Sequence, residues 1–246
     1  MYKEHPVFEK ANDDDIIWRY LDFTKFVSML DKRALFFIRA DKLDDTFEGS
    51  FSKGNIKLRP IVYGDKIPKD VLSKLSNIWK ENRKYMLINS WHISRYESAA
   101  MWKLYLKSNE GVAIKSTFKR LCDSFNNYTD DVISIGKIKY IDYENEWIPE
   151  GNSFYPFLHK RKSFEYEQEL RAILHRLPLK EDEIVLGEEL FECGLNVPVE
   201  LDILVEKIFL SPTAPGWFYE LVKSIANKFN FDKEIVQSNL NEDPVY

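Results

Sequence analysis

The sequence has few cysteines and lacks any long apolar run. Cys122 and Cys193 are its only two cysteines among 246 residues, and they lie far apart. This excludes a disulfide framework and a zinc motif of closely spaced cysteines. The sequence contains no stretch of about 18 apolar residues, which a membrane-spanning helix would need. Its first residues, Met1 to Pro6, are polar where a signal peptide needs an apolar segment. We therefore expect a soluble protein of the cytoplasm that has no membrane partner.

An excess of positive charge is also absent. The net charge is −5, which argues against a broad nucleic-acid surface, because such surfaces bind by neutralising phosphates with Lys and Arg. Hydrophobic residues make up 44% of the chain, enough for a sizeable core. No repeat, low-complexity tract or Gly/Ser linker divides the sequence. We expect one domain over 1–246, with 1–14 and 239–246 loosely attached.

Several common catalytic motifs are missing. The sequence contains no GxxxxGK[ST] or GxGxxG phosphate loop, no GxSxG elbow and no HExxH pair. The four histidines show no i, i+4 pairing, so we expect no metal site. The sequence therefore argues against three classes of enzyme: nucleotide hydrolases of the P-loop type, dinucleotide-binding dehydrogenases and zinc proteases.

The hydrophobic pattern predicts an α+β fold with a mixed sheet of short strands and flanking helices. Period-two or short apolar runs predict the strands, and apolar residues at helical spacing predict the helices. The predicted strands are 16–21, 34–39, 85–92, 111–114, 132–141, 168–175, 207–211 and 235–237. The predicted helices are 26–30 (with Thr24 as N-cap), 68–84, 97–107, 117–125, 155–162 and 213–229.

The densest polar segment runs from Lys160 to Arg171. In an extended conformation Glu167, Glu169 and Arg171 share one face, and apolar residues take the other. Two interpretations follow. The charged residues form a salt-bridge ladder on a solvated face, or they line a cleft in which the carboxylates stabilise a developing cation.

A second polar group, Ser90, Trp91 and His92, lies at the end of a predicted strand. Ser94 follows as a candidate cap of the next helix, which would bring backbone N–H groups to the same place. His92 is either a half-buried structural histidine or a base. Trp91 is expected to face away from its two neighbours, whereas the later aromatic residue Tyr105 is expected in the core.

Two further positions carry charge in unusual settings. Arg19 lies between Trp18 and Tyr20, so it must reach solvent or find a partner, and a carboxylate or a bound phosphate would satisfy it. The acidic segment Asp44 to Gly49 is interpreted as a turn that Phe47 anchors to the core, because it lacks the oxygen spacing of a calcium loop.

Taken in order, several segments resemble the bacterial and phage family known as domain of unknown function 2971, and the likeness spans nearly the whole chain. The matching pieces are Trp18 to Tyr20, Leu43 to Glu48, Met101 to Tyr105, Gly111 to Ile114, Lys162 with Glu167, Glu169 and Arg171, and Leu210 to Ala214.

A second resemblance is to ADP-ribosyltransferases of the arginine-serine-glutamate class. That class has Arg on a first strand, Ser on a middle strand and Glu-x-Glu before a later strand, an order matched here by Arg19, Ser90 and Glu167 to Glu169. The resemblance implies that NAD is a substrate, that Arg19 binds its diphosphate, and that Ser90 orients the site. Glu169 would hold the ribose 2′-hydroxyl, and Glu167 would assist the acceptor. The further candidates for contact with NAD are Trp91, His92 and Arg171.

This resemblance implies an effector of toxin or phage-defence type that modifies a macromolecular acceptor. Two alternatives remain open. One is a non-catalytic module that binds a nucleotide or a phage component through Arg19 and Arg171. The other is a nuclease with magnesium held by Asp44, Asp45, Glu167 and Glu169.

Overall fold

A computed structural model describes residues 1–64, 77–106, 108–181 and 183–246. The strands are β1 (Ile16–Asp22), β2 (Ala34–Arg39), β3 (Met86–Ile93), β4 (Gly111–Thr117), β5 (Ile133–Lys137), β6 (Lys139–Ile141), β7 (His159–Arg161), β8 (Glu169–His175), β9 (Leu179–Lys180), β10 (Glu183–Ile184), β11 (Gly194–Pro198), β12 (Lys207–Leu210) and β13 (Ile235–Gln237). The α-helices are α1 (Phe23–Lys32), α2 (Lys53–Tyr63), α3 (Ala99–Tyr105), α4 (Phe118–Asp123), α5 (Leu201–Leu204) and α6 (Gly216–Lys228). Short 3-10 helices cover Ala40–Lys42, Tyr155–Phe157 and Lys162–Glu167.

One mixed sheet organises the fold, and among the described residues it has nine strands. Its path runs β11-β2-β3-β1-β4-β12-β13, while β8 pairs with β3 and β5 pairs with β8. The pairs are antiparallel except for β12 with β13. The predicted α+β class is therefore confirmed. Within the described ranges, no helix is long and apolar enough to span a membrane.

Alternation along the central strands sorts their side chains between two cores. Leu87 and Trp91 of β3 and Leu170 of β8 enter the larger core, to which α1, α4 and α6 also contribute buried residues. Ile88 of β3 and Ile173 of β8 enter a smaller core on the opposite face. The polar residues of β3 and β8 that matter below continue this second face.

One edge of β3 is divided between two strands. On one edge β3 pairs with β8 over its whole length, from Met86 with His175 to His92 with Glu169. On the other edge β2 pairs with Leu87 and Ile88, and β1 pairs with His92 and Ile93. Between these two short ladders, strands β1 and β2 separate from β3, and helix α1 joins them. A cleft opens at this separation.

Side chains replace the missing backbone bonds in the gap. Asn89 Nδ2 donates to Phe36 O of β2 at 2.9 Å, and Asn89 Oδ1 accepts from Trp91 Nε1 at 2.8 Å. Arg19 Nη1 of β1 donates to Ser90 O at 2.5 Å. A buried backbone carbonyl without a partner is costly, so these contacts stabilise the separation.

The two ends of the chain differ in their attachment. The sequence predicts that 1–14 are loosely attached, but these residues lie along β5: Tyr2 bridges to Ile133, Glu9 bridges to Lys137, and Phe8 is buried in the smaller core. The apolar Phe8 provides the reason, because it removes its ring from water there. Residues 239–246 are exposed.

Most predicted elements are confirmed within a few residues, and three predictions differ from the structure. Residues 155–162 do not form a helix: a 3-10 helix beginning before Pro156 is followed by β7, which pairs with β6. Helix α1 begins at Phe23, so Thr24 lies inside it. The predicted strand 132–141 is divided into β5 and β6. Of the predicted helix 68–84, 77–82 are helical and 68–76 lie outside the described residues.

We predict that the variant Asn89→Leu destabilises the protein by about 2–4 kcal/mol, because it leaves the Trp91 indole N–H and the Phe36 carbonyl without partners. Urea unfolding followed by circular dichroism measures the change. The matched control is Asn127→Leu, which removes an exposed bond to Glu200 and should change the free energy of unfolding by less than about 0.5 kcal/mol. Equal effects of the two variants would contradict the role given to Asn89.

Candidate functional site

A cleft of about 670 Å³ opens where β1 and β2 leave β3. Its walls include residues of α1, such as Ser28 and Met29, and of the segment 43–48. Side chains from both faces of the sheet reach it because the strands are separated here. The cleft is lined by all seven residues that the sequence singles out: Arg19, Ser90, Trp91, His92, Glu167, Glu169 and Arg171.

Arg171 lies at the base of the cleft and is almost completely buried. Its Nε and Nη2 donate to the two carboxylate oxygens of Glu169 at 2.6 and 2.9 Å. Its Nη1 and Nη2 donate to Glu48 at 2.8 and 2.6 Å, and Nη1 also donates to Phe157 O at 2.9 Å. All five N–H donors of the guanidinium are therefore used by the protein itself.

Lys160 of β7 joins the same buried group. Its ammonium donates to Glu167 Oε2 at 2.6 Å and to Glu169 Oε2 at 3.4 Å, and it lies 3.3 Å from Glu48 Oε1. The nitrogen also lies 4.8 Å from the centroid of the Phe164 ring. We call these five residues, Glu48, Lys160, Glu167, Glu169 and Arg171, the charge cluster. Three carboxylates and two cations leave it with one excess negative charge.

The two glutamates of the Glu-x-Glu sequence have opposite pKa shifts. Burial raises the pKa of Glu169, but Arg171, Lys160 and the Ser90 hydroxyl outweigh burial and hold this pKa well below its usual range. Burial also raises the pKa of Glu167, and there the attraction of Lys160 is too weak to reverse the shift. Glu169 therefore stays ionised at neutral pH, while Glu167 is the better proton acceptor.

His92 and Ser90 lie on β3 beside strand β8, with His92 in register with Glu169 and Ser90 in register with Arg171. His92 Nδ1 is 2.6 Å from Glu167 O. Since a carbonyl oxygen only accepts, Nδ1 carries the proton and Nε2 is left as an acceptor. Burial lowers the pKa of His92 against the opposing effect of this hydrogen bond, so the imidazole is neutral at pH 7.

Arg19 lines the cleft from β1, on the other side of β3. Its guanidinium lies 6.0 Å from the centroid of the Trp91 ring. Its one hydrogen bond within the described part of the chain goes to the uncharged carbonyl of Ser90. Burial lowers its pKa to about 10, with Tyr105 acting in the opposite direction, so it remains charged at pH 7. A half-buried guanidinium that has no carboxylate partner among these residues favours an anionic ligand.

Three predictions about the local structure around the site differ from what the structure shows. The charged face of β8 is not solvated, since Glu169 and Arg171 are 6% and 1% exposed. Glu167 precedes the strand in a 3-10 helix, and it reaches the charge cluster because Gln168 takes a left-handed φ of 40°. Ser98, and not Ser94, caps helix α3 by accepting from Met101 N.

Tyr105 is predicted to lie in the core, but the structure places it at the cleft. It is 47% exposed and lines the cleft, because α3 ends there. Burial of its hydroxyl end is the main cause of its raised pKa, and the charges of Glu167, Glu169, Lys160 and Arg19 also act on that hydroxyl.

Sequence reasoning missed Glu48 and Lys160 as parts of the site. Glu48 belongs to the acidic segment that is interpreted from the sequence as a turn anchored by Phe47, yet Glu48 itself is 2% exposed. A tight turn directs it inward: Glu48 N donates to Asp45 O, and Gly49 has a φ of 69° and packs against the Phe157 ring. The only signal was a glutamate next to a glycine able to adopt this φ.

A grouped set of metal ligands is not found in the described ranges, where no three His, Cys, Asp or Glu side chains are arranged to hold an ion. The ammonium of Lys160 and the guanidinium of Arg171 lie between the carboxylates instead. The nuclease hypothesis requires Asp44, Asp45, Glu167 and Glu169 to share a metal, and Asp45 is paired with Arg161 at 2.7 Å.

Comparison with known proteins returns no relative. No protein-family model matches the chain, and no curated protein and no solved structure matches it significantly. The two family resemblances of the sequence therefore stay predictions, and the geometry of the cleft carries the functional argument.

We predict that Arg171→Met destabilises the protein by about 3–5 kcal/mol at pH 7, because it leaves buried carboxylates without their cation. The penalty should shrink as the pH falls. Without Arg171, burial raises the pKa of Glu169 above its unfolded value, so the folded variant takes up a proton and gains stability with acidification. The wild type loses stability on acidification, since its Glu169 pKa is depressed.

Urea unfolding at pH 7 and near pH 4 measures both effects. The control Arg33→Met breaks the exposed pair of Arg33 with Asp202 and should cost less than about 1 kcal/mol at either pH. A penalty for Arg171→Met that is independent of pH would argue against uncompensated carboxylates as its cause.

Proposed function

We propose that this protein consumes NAD as an enzyme of ADP-ribosyltransferase type and transfers ADP-ribose to a macromolecular acceptor. One observation carries the proposal: a single cleft is lined by the guanidinium of Arg19, which has no carboxylate partner among the described residues, and by a buried, ionised carboxylate, Glu169. The first suits the diphosphate of a dinucleotide. The second suits the positive charge that develops on a ribosyl group when its bond to nicotinamide breaks.

The spacing of the two groups fits a ligand of dinucleotide length. Arg19 lies on β1 and Glu169 on β8, and these strands flank β3 on opposite edges. Neighbouring paired strands lie about 4.8 Å apart, and β1 has begun to separate from β3 at Arg19, so the two backbones are at least about 10 Å apart. The volume of about 670 Å³ lies within the range of cofactor-sized pockets.

Each protein group has one role in the proposed step. The bond between nicotinamide N1 and ribose C1′ breaks, and its electron pair leaves with nicotinamide. Glu169 accepts a hydrogen bond from the ribose 2′-hydroxyl and stabilises the developing positive charge. An acceptor nucleophile, or water, forms the new bond to C1′, and its proton goes to Glu167, whose raised pKa suits a base.

Glu169 retains the capacity that this role requires. A carboxylate has about four lone-pair positions. Arg171 uses one on each oxygen, and Lys160 uses a second position on Oε2. The remaining position is within reach of the Ser90 hydroxyl, which also lowers the pKa of Glu169, and a ligand hydroxyl would take this position when the serine side chain rotates away. Arg171 and Lys160 hold the carboxylate in place, which gives it a fixed orientation before the ligand binds.

We predict that Glu169→Gln lowers kcat for NAD consumption by about 100-fold to 1,000-fold, the usual loss when a group that stabilises transition-state charge is removed. Release of nicotinamide, measured chromatographically with cell extract as the acceptor source, checks it. The control Glu165→Gln changes an exposed glutamate of the same 3-10 helix and should retain wild-type turnover. Equal turnover of both variants and the wild type would remove Glu169 from the mechanism.

We also predict that Arg19→Gln raises KM for NAD by about tenfold or more, with a smaller change in kcat, because Arg19 contacts a part of the ligand that does not react. The effect should weaken with nicotinamide mononucleotide, which lacks the diphosphate. Steady-state kinetics with both compounds test this. Arg95→Gln, at an exposed position outside the cleft, is the control. A pure kcat effect would contradict a diphosphate contact.

A non-catalytic recognition module is the second candidate, and one observation favours it. Both oxygens of Glu169 are already bonded to Arg171 and Lys160, as expected if the carboxylates serve only to orient cations. Because Arg171 has no donor to spare, Arg19 would be the ligand-binding arginine in that case. Calorimetry that detects NAD binding, together with no nicotinamide release on any tested extract, would favour the module.

A further inference from the structure

Glu48 is buried in the wall of the same cleft, and it contacts the proposed catalytic carboxylate only through other residues. Its two oxygens accept from Arg171 at 2.6 and 2.8 Å, and Oε1 lies 3.3 Å from Lys160 Nζ. Arg171 in turn holds both oxygens of Glu169. Glu48 and Glu169 are thus the two ends of a carboxylate, guanidinium, carboxylate chain in the wall of the cleft.

The net charge of the cluster depends on this residue. With Glu48, the three carboxylates of the charge cluster exceed its two cations by one charge. Without it, Glu167 and Glu169 would be balanced by Lys160 and Arg171, and the cluster would be neutral. Water cannot screen this difference well, because Glu48, Lys160, Glu169 and Arg171 are each less than a tenth exposed.

A developing ribosyl cation would experience that difference directly. A Glu169 paired with an unopposed Arg171 offers little net negative potential, since the guanidinium cancels it at close range. When Glu48 engages the other side of the guanidinium, Arg171 keeps its geometric hold on Glu169 while its charge is offset. The same contact also fixes the orientation of Arg171, because Glu48 binds two of its N–H groups side by side.

We propose that Glu48 is a positioning residue that acts through Arg171: it keeps the charge cluster net negative, and so makes Glu169 able to stabilise a cation in the cleft. This inference rests on the proposed function for its kinetic consequence. The turn that carries Glu48 is itself fixed in place, as a positioning role requires. Asp45 of that turn is paired with Arg161, and Gly49 packs on Phe157, whose carbonyl also accepts from Arg171.

Charge balance can be tested separately from structural support. Glu48→Gln removes one negative charge with little change of shape, and kcat for NAD consumption should fall about tenfold or more while KM, which depends on Arg19, changes little. Adding Lys160→Met removes one positive charge and returns the cluster to one excess negative charge. The double variant should recover a large part of the lost kcat. A purely structural role of Glu48 predicts further loss in the double variant.

A binding measurement makes the test independent of turnover. A protonated iminoribitol, a stable cation that resembles a ribosyl group, is titrated calorimetrically against the full chain, with neutral ribitol as its control. Binding should weaken about tenfold in Glu48→Gln and recover in the double variant. Lys160→Met alone should bind the cation more tightly than the wild type, and this arm keeps the test valid if Glu48→Gln fails to fold by circular dichroism.

Each outcome decides one of the two claims. NAD turnover without an effect of Glu48→Gln, or without recovery in the double variant, overturns the role of Glu48 and leaves the proposed function standing. Absence of turnover with the expected order of cation affinities overturns the enzyme and supports the role of Glu48. If the wild type neither turns over NAD nor binds the cation, both are overturned.

Discussion

The divided edge of β3 is the constraint on which the rest of the structure depends. A strand bonded along both edges leaves no room for a ligand in the plane of the sheet. Here β2 takes one end of the edge and β1 takes the other, so three residues in the middle keep β8 as their one strand partner. The side chains of Asn89 and Arg19 satisfy the exposed backbone there. The opening therefore costs few hydrogen bonds, and it brings residues from both faces of the sheet to one cleft.

The charge cluster lies on the wall of that opening, and its energetics point to function more than to stability. A buried guanidinium between two carboxylates is often no more stabilising than apolar residues of similar volume. Ile88 and Ile173, close to the charges on the same face, show that this face accepts apolar side chains. A sequence that places Arg171, Lys160 and three glutamates beside a cleft departs from the pattern of its own core, and such departures concentrate at functional sites.

Local pattern was enough to predict the strands but not the environment of their polar faces. Alternation in 168–175 predicted that Arg171 lies on the other face of the sheet from Leu170 and Leu174, and alternation in 85–92 predicted the same of Ser90 and Trp91. Both predictions are confirmed, since Leu170, Leu174 and Trp91 enter the larger core. That the charged face is dry depends on a contact between residues 48 and 171, 123 positions apart, which periodicity cannot reveal. Lys160 was missed for a related reason, because pairing of β7 with β6 overrode the helical pattern of 155–162.

The rigidity of Glu169 bears on whether the cleft is built for binding or for reaction. The nicotinamide ring of NAD carries a positive charge before its glycosidic bond breaks, and that charge moves to the ribosyl group as the bond lengthens. The amount of charge stays the same and its position changes. A mobile carboxylate would follow the charge and stabilise both states equally, which does not accelerate the step. Glu169 is held by Arg171 on both oxygens and by Lys160, so it cannot follow. If the ribose of the proposed ligand NAD lies against this fixed carboxylate, the attraction strengthens only as the charge arrives there, and this is the condition for catalysis.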